Sequence, residues 1–126
     1  MASSNGDHLL ETKSGDYCPN AGDLVWIDLD PTRGHEQSGH RPALVLTPRE
    51  YNLRSGLCIM CPITSRARGY PFEVAISQAH GISGVILADQ VRSLSWEKRY
   101  VKMAGAASIK LLDEVRERLA ALLEIE

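Results

Sequence analysis

The chain has 126 residues, 44% of them hydrophobic and 24% charged, which fits one small soluble domain with a real core. No apolar run reaches the ~18 residues of a membrane span. The net charge of −2 argues against a polyanion partner, but its distribution argues for one: residues 1–30 carry a balance of −5, residues 31–112 of +6 and residues 113–126 of −3. A basic middle between acidic ends can bind a polyanion, because the local field outweighs the total.

Residues 1–21 are polar and aperiodic, and are expected to form a flexible tail. The start, MASSNGDHLLETKSGDYCPNAG, lacks the basic and apolar blocks of a secretory signal, so a cytoplasmic location is expected. The domain is expected over 22–126. The first strand is expected over 24–30, with Val25, Ile27 and Leu29 on the core face. Pro31 to Gly34 is turn chemistry and opens a loop to His40. A second strand is expected from Pro42 to Thr47. Residues 48–56 read as a turn or short helical piece, and Leu57 to Ile63 as the third strand. A loop over 64–70 carries Arg66 and Arg68. Phe72 to Ile76 reads as the fourth strand, Gly84 to Val91 as the fifth and Tyr100 to Ala104 as a sixth.

The end of the chain changes period. Ser108 suits a helix cap. Leu112, Val115, Leu119, Leu122 and Leu123 follow a helical stripe, and Glu114 with Arg118 makes an i,i+4 pair. An amphipathic helix is expected over 109–124. Five or six short antiparallel strands and one helix point to a strongly curved sheet or open barrel with the helix packed on it.

Cys18, Cys58 and Cys61 make an odd count, which suggests free thiols. On a strand, Cys58 and Cys61 fall on opposite faces, so the C-x-x-C spacing reads as core rather than as a metal or redox site.

Four groups of residues could carry chemistry. The loop GHEQSGHRP places His35, Glu36, Gln37, His40 and Arg41 directly before a core strand. A solvated hairpin loop is the plain alternative. Pro42 biases Arg41 towards extended geometry at the sheet rim, where a functional group can be held rigidly. Thr64 closes the third strand, and its hydroxyl could equally satisfy a local backbone group. Asp89 and Gln90 interrupt an apolar strand and would need partners if buried. Arg33, Arg41, Arg49, Arg54, Arg66, Arg68 and Arg92 fall mostly in or beside loops, where guanidinium groups suit phosphates. If the second and third strands pair, the 34–41 and 64–70 loops rim one concavity.

The two histidines at 35 and 40 lie in a loop, without the single-face helical spacing of zinc peptidases, so no metal is expected. An arginine-rich site with His and Thr suits phosphodiester chemistry. The 2′-hydroxyl of RNA can attack its own phosphate, and the protein then positions, neutralises and moves protons.

GDLVWIDLDPTRGHEQSGHRPALVL (22–46), CPITSRARGYPFEV (61–74) and GVILADQVRSL (84–94) closely resemble the MazF/PemK family of toxin endoribonucleases. The likeness runs from Gly22 to the terminal helix. It implies an SH3-like, PemK-like barrel working as a homodimer. It implies metal-independent cleavage of single-stranded RNA at short motifs, without a cofactor, leaving 2′,3′-cyclic phosphate and 5′-hydroxyl ends. It also implies a cognate antitoxin whose acidic, disordered C-terminal segment lies over the RNA groove.

Residue by residue, Arg41 matches the family's catalytic arginine and Thr64 its catalytic threonine. Glu36 and Gln37 match the E-Q of the flexible loop, and Asp89 and Gln90 the D-Q further on. Asp30, Arg33, Arg66 and Arg68 join Gln37, Asp89 and Gln90 as the expected RNA contacts. One departure stands out. The PemK branch has an arginine two residues before the aspartate, and here that place holds Leu87. His35 matches a PemK-branch histidine and His40 a MazF-branch one. A guanidinium has a pKa above ~12, so Arg41 is expected to stabilise phosphate and donate, with His35 or His40 assisting the 2′-hydroxyl. The same fold also hosts a gyrase-poisoning toxin, so a binder that does not cleave is the second reading.

Overall fold

The computed structural model describes residues 17–29, 40–76 and 81–126. Its elements are β1 (Asp23–Asp28), β2 (His40–Val45), α1 (Arg49–Ser55), β3 (Leu57–Thr64), β4 (Glu73–Ala75), β5 (Val85–Leu87), β6 (Arg92–Ser95), β7 (Lys102–Ala106) and α2 (Ile109–Leu123). All strand pairs are antiparallel, in the order β4-β5-β3-β2-β1-β7, with β6 also on β3. The sheet is open, and among the described residues it has seven strands rather than five or six.

The extra strand comes from the segment expected to be one strand over 84–91. It breaks at a 3-10 turn, Ala88–Gln90, into β5 and β6. β3 explains the break. One of its edges is taken by β2; the other is divided, with Ile63 and Thr64 pairing β5 and Leu57 to Met60 pairing β6. The chain must cross from one end of β3 to the other, and the turn makes that crossing. Asp89 and Gln90 are therefore exposed turn residues, not a buried pair in mid-strand.

The central strands are buried on both faces. Leu24, Leu44, Cys61 and Ile63 pack with Val74, Ile86 and the α2 residues Leu111, Leu112 and Val115. Val25, Ile27, Ala43, Val45, Cys58 and Met60 face Leu94 and Trp96 on the other side. The core face expected for β1 is thus only one of two. Cys58 and Cys61 do fall on opposite faces, and all three thiols are free and buried. Burial pushes Cys18 up to about 11 and Cys58 and Cys61 up to about 12.

α2 begins where expected, with the Ser108 hydroxyl accepting the Leu111 N–H at 3.1 Å. Its stripe is shifted. Leu111 is buried, whereas Leu122 and Leu123 are exposed. Arg118 pairs with Glu114 at 3.6 Å and donates to the carbonyls of Pro71 and Glu73, tying the helix to β4.

The packed region reaches back to at least Tyr17, so residues 17–21 are not part of a tail. Cys18 and Pro19 are buried, and the Tyr17 hydroxyl donates to Asp23. Asn52, fully buried in α1, donates to the carbonyls of Pro19 (2.8 Å) and Thr47 (2.9 Å) and accepts from the Thr47 hydroxyl (2.6 Å). The Trp96 indole donates to its backbone carbonyl at 2.8 Å. One residue, through its side-chain amide and its backbone carbonyl, thereby fastens the N-terminal segment, α1 and the turn after β6.

Candidate active site

The β2–β3 ladder carries the pairs Ala43↔Pro62, Leu44↔Cys61 and Val45↔Met60. The ladder ends at Ala43↔Pro62, just short of Arg41 on one strand and of Thr64 on the other. Both residues line the cleft at these strand ends, although 22 residues lie between them in the chain. β2 starts at His40, two residues earlier than expected, and this puts Arg41 inside the ladder with Ile27 of β1 as its partner on the other side.

A cleft of about 700 Å³ opens at these strand ends, lined among others by Trp26, His40, Arg41, Ile63, Thr64 and Arg66. Arg41 and Arg66 are exposed and make its wall cationic. The Thr64 hydroxyl oxygen accepts the Arg66 N–H at 3.2 Å, which leaves its proton free to be donated. The Glu73 carboxylate accepts the backbone N–H groups of Arg68 (3.0 Å) and Gly69 (2.9 Å) and so folds the basic loop back on itself. Arg68 is exposed but does not line the cleft.

Gly84 fixes Thr64 from behind. Its φ of +121° suits glycine, and a Cβ there would lie 2.9 Å from the Thr64 carbonyl carbon and closer still to its oxygen. β5 can approach Thr64 only because position 84 has no side chain. At the other strand, Arg99 donates to the carbonyls of Asp28 (3.2 Å) and Leu29 (2.9 Å), holding the end of β1 where Leu29 meets the cleft.

His40 is half-buried, its ring 6.1 Å from that of Trp26 and tilted by 50°. Its Nε2 is buried without a hydrogen-bond partner among the described residues. Such an atom carries unspent hydrogen-bonding capacity. Asp30, Arg33, His35, Glu36 and Gln37 lie outside the described residues. Asp89 and Gln90 sit on the turn after Leu87; Leu87 lines the cleft and they do not. Trp26 is the wall residue the sequence reading passed over. An indole on a strand face shared with Asp28 was the available signal, since an exposed aromatic needs a reason.

The arrangement is a cationic cleft with a hydroxyl donor and an imidazole at its edge. Residues 20–123 match the family described as "PemK-like, MazF-like toxin of type II toxin-antitoxin system". The chain belongs to this family. The Endoribonuclease toxin MazF of Escherichia coli K12 is 44% identical over 107 residues, covering 85% of this chain and 96% of the relative. Endoribonuclease PemK of Escherichia coli is 36% identical, covering 81% and 80%. A Deinococcus radiodurans MazE–MazF crystal structure superposes with a TM-score of 0.79 at 47% identity, covering 88% of this chain and all of that one. MazF alone from the same organism gives 0.78 at 52% identity, with 86% and 99% covered. The open antiparallel sheet with its C-terminal helix is the fold of these MazF structures.

Proposed function

We propose that this MazF-family chain is the toxin of a type II toxin–antitoxin pair and an endoribonuclease that cuts single-stranded RNA without a metal or other cofactor. The observation that carries this reading is that Arg41 and Thr64 line one cationic cleft. The 2′-hydroxyl attacks the adjacent phosphate, giving a 2′,3′-cyclic phosphate and a 5′-hydroxyl. Arg41 stays protonated, neutralises the crowded phosphate and donates to its oxygens. Thr64 donates its hydroxyl proton to the same group. The 2′-hydroxyl proton passes to His35 or His40, with Glu36 in support. Asp30, Arg33, Gln37, Arg66 and Arg68 contact the RNA, and Asp89 and Gln90 reach it from the margin of the cleft.

The working unit is a homodimer in the cytoplasm, inhibited by an antitoxin whose acidic segment competes for the basic cleft. The test is incubation of the purified protein with long single-stranded RNA and EDTA. Discrete cuts with cyclic phosphate ends are expected; intact RNA with a gel shift would make the protein a binder instead. Arg41→Ala should lower the rate by about 10²–10³-fold or more. If neither His35→Ala nor His40→Ala changes the rate or its pH profile, the histidine assignment falls.

A further inference from the structure

Trp26 sits in the middle of β1, where neighbouring side chains normally make it core. It is instead 39% exposed and lines the cleft. Strand register sets Pro42 on one side of it and Lys102 of β7 on the other. Directly paired residues share a face of the sheet, so Trp26 lies in one cross-strand row with Pro42 and Lys102. The next row, Ile27 with Arg41, points to the other face of the sheet. At the strand ends the two faces share one cleft, which Trp26, Arg41 and Thr64 all line. The His40 ring lies against the indole, tilted by 50° at 6.1 Å between centroids. Lys102 is exposed.

We propose that Trp26 is a stacking platform for one nucleobase of the RNA, next to the phosphate held by Arg41 and Thr64, and that Lys102 takes a neighbouring phosphate. This rests on the endoribonuclease reading. An unpaired base presents a flat apolar face, and aromatic platforms flanked by cations are how proteins hold single strands. A partly exposed indole that shares a cleft with Arg41 and is paired with Lys102 across the ladder has those parts. His40 then serves to hold the platform, and the 2′-hydroxyl proton falls to His35.

The cut site is first mapped, and an uncleavable 2′-O-methyl oligonucleotide spanning it is used to measure Kd. Trp26→Ala should weaken binding about ten-fold, and Trp26→Phe should restore most of it. Thermal unfolding of both variants shows whether they are folded, and Trp26→Phe alone decides the matter if Trp26→Ala is not. Abasic substitutions are then placed one by one. At one position the abasic oligonucleotide should lose its sensitivity to Trp26→Ala. Lys102→Ala should weaken all sequences evenly and lower the salt slope by about one.

Binding unchanged by Trp26→Ala, or weakened equally at every abasic position, overturns the platform. So does a variant that binds RNA normally but loses an acidic antitoxin peptide. RNA that wild type cuts while Trp26→Ala binds it normally removes the platform alone. RNA that wild type neither binds nor cuts removes the endoribonuclease reading as well.

Discussion

Gly84→Ala tests whether the backbone behind Thr64 places the hydroxyl. Non-bonded carbon atoms prefer a separation of roughly 3.5–4 Å. A Cβ at 84 would lie 2.9 Å from the Thr64 carbonyl carbon and 3.1 Å from the Ser65 Cα, with the Thr64 oxygen nearer still. All three are backbone atoms, so no rotamer change relieves the contact. The end of β3 must move by about 1 Å, and a shift of that size at a reacting group can slow it about 100-fold. The φ of +121° adds strain of about 1–3 kcal/mol, and the collision a similar amount. The assay is single-turnover cleavage of a fluorogenic oligonucleotide at 15 °C, with the folded fraction read by circular dichroism in the same sample. Gly56→Ala is the control. Its φ is +74° with nothing within 4 Å of the added carbon, and it caps α1 away from the cleft. It should cost about 1 kcal/mol of stability and leave the rate alone. A folded Gly84→Ala that cuts at the wild-type rate would refute the placement argument.

Three further outcomes are expected. Asn52→Ala should lower stability by about 3 kcal/mol in urea unfolding, because it leaves buried partners at Pro19 and Thr47 unsatisfied and opens a cavity. Ser108→Ala should lower it by about 1 kcal/mol through loss of the cap, with cleavage unchanged. Stability should be flat below about pH 8 and fall as pH rises towards 11–12. The folded state holds its thiol protons up to about 12 at Cys58 and Cys61 and about 11 at Cys18, whereas the unfolded chain releases them near the ordinary value of 9.0. Each thiol contributes a loss of roughly 1.4 kcal/mol by pH 10, seen as a drop in the urea midpoint that Cys58→Ala reduces.

Much of this is legible in the amino-acid sequence. Pro42 and the alternation around Cys58 and Cys61 located the two strands whose pairing makes the cleft. Ser108 located the start of α2. The strand over 84–91 was misread because periodicity reports apolar runs, not the partner a strand must find. Only the shared edge of β3 shows why the chain turns at Ala88–Gln90. Tyr17 to Ala21 looked like tail because their anchor, Asn52, lies more than 30 positions away. Trp26 was passed over because alternation alone does not say where a buried face ends and a cleft begins.

The ladder between β2 and β3 has one more consequence. Through main-chain pairing it brings the ends of both strands, and with them Arg41 and Thr64, to one cleft, and main-chain pairing takes little notice of side-chain identity. The basic loop after Thr64 hangs from this frame and is folded by a single carboxylate, Glu73. On the roles proposed above, chemistry and reading fall to separable parts. A lineage could rewrite residues 65–70 and so retarget the enzyme, while Arg41 and Thr64 keep their places at the strand ends.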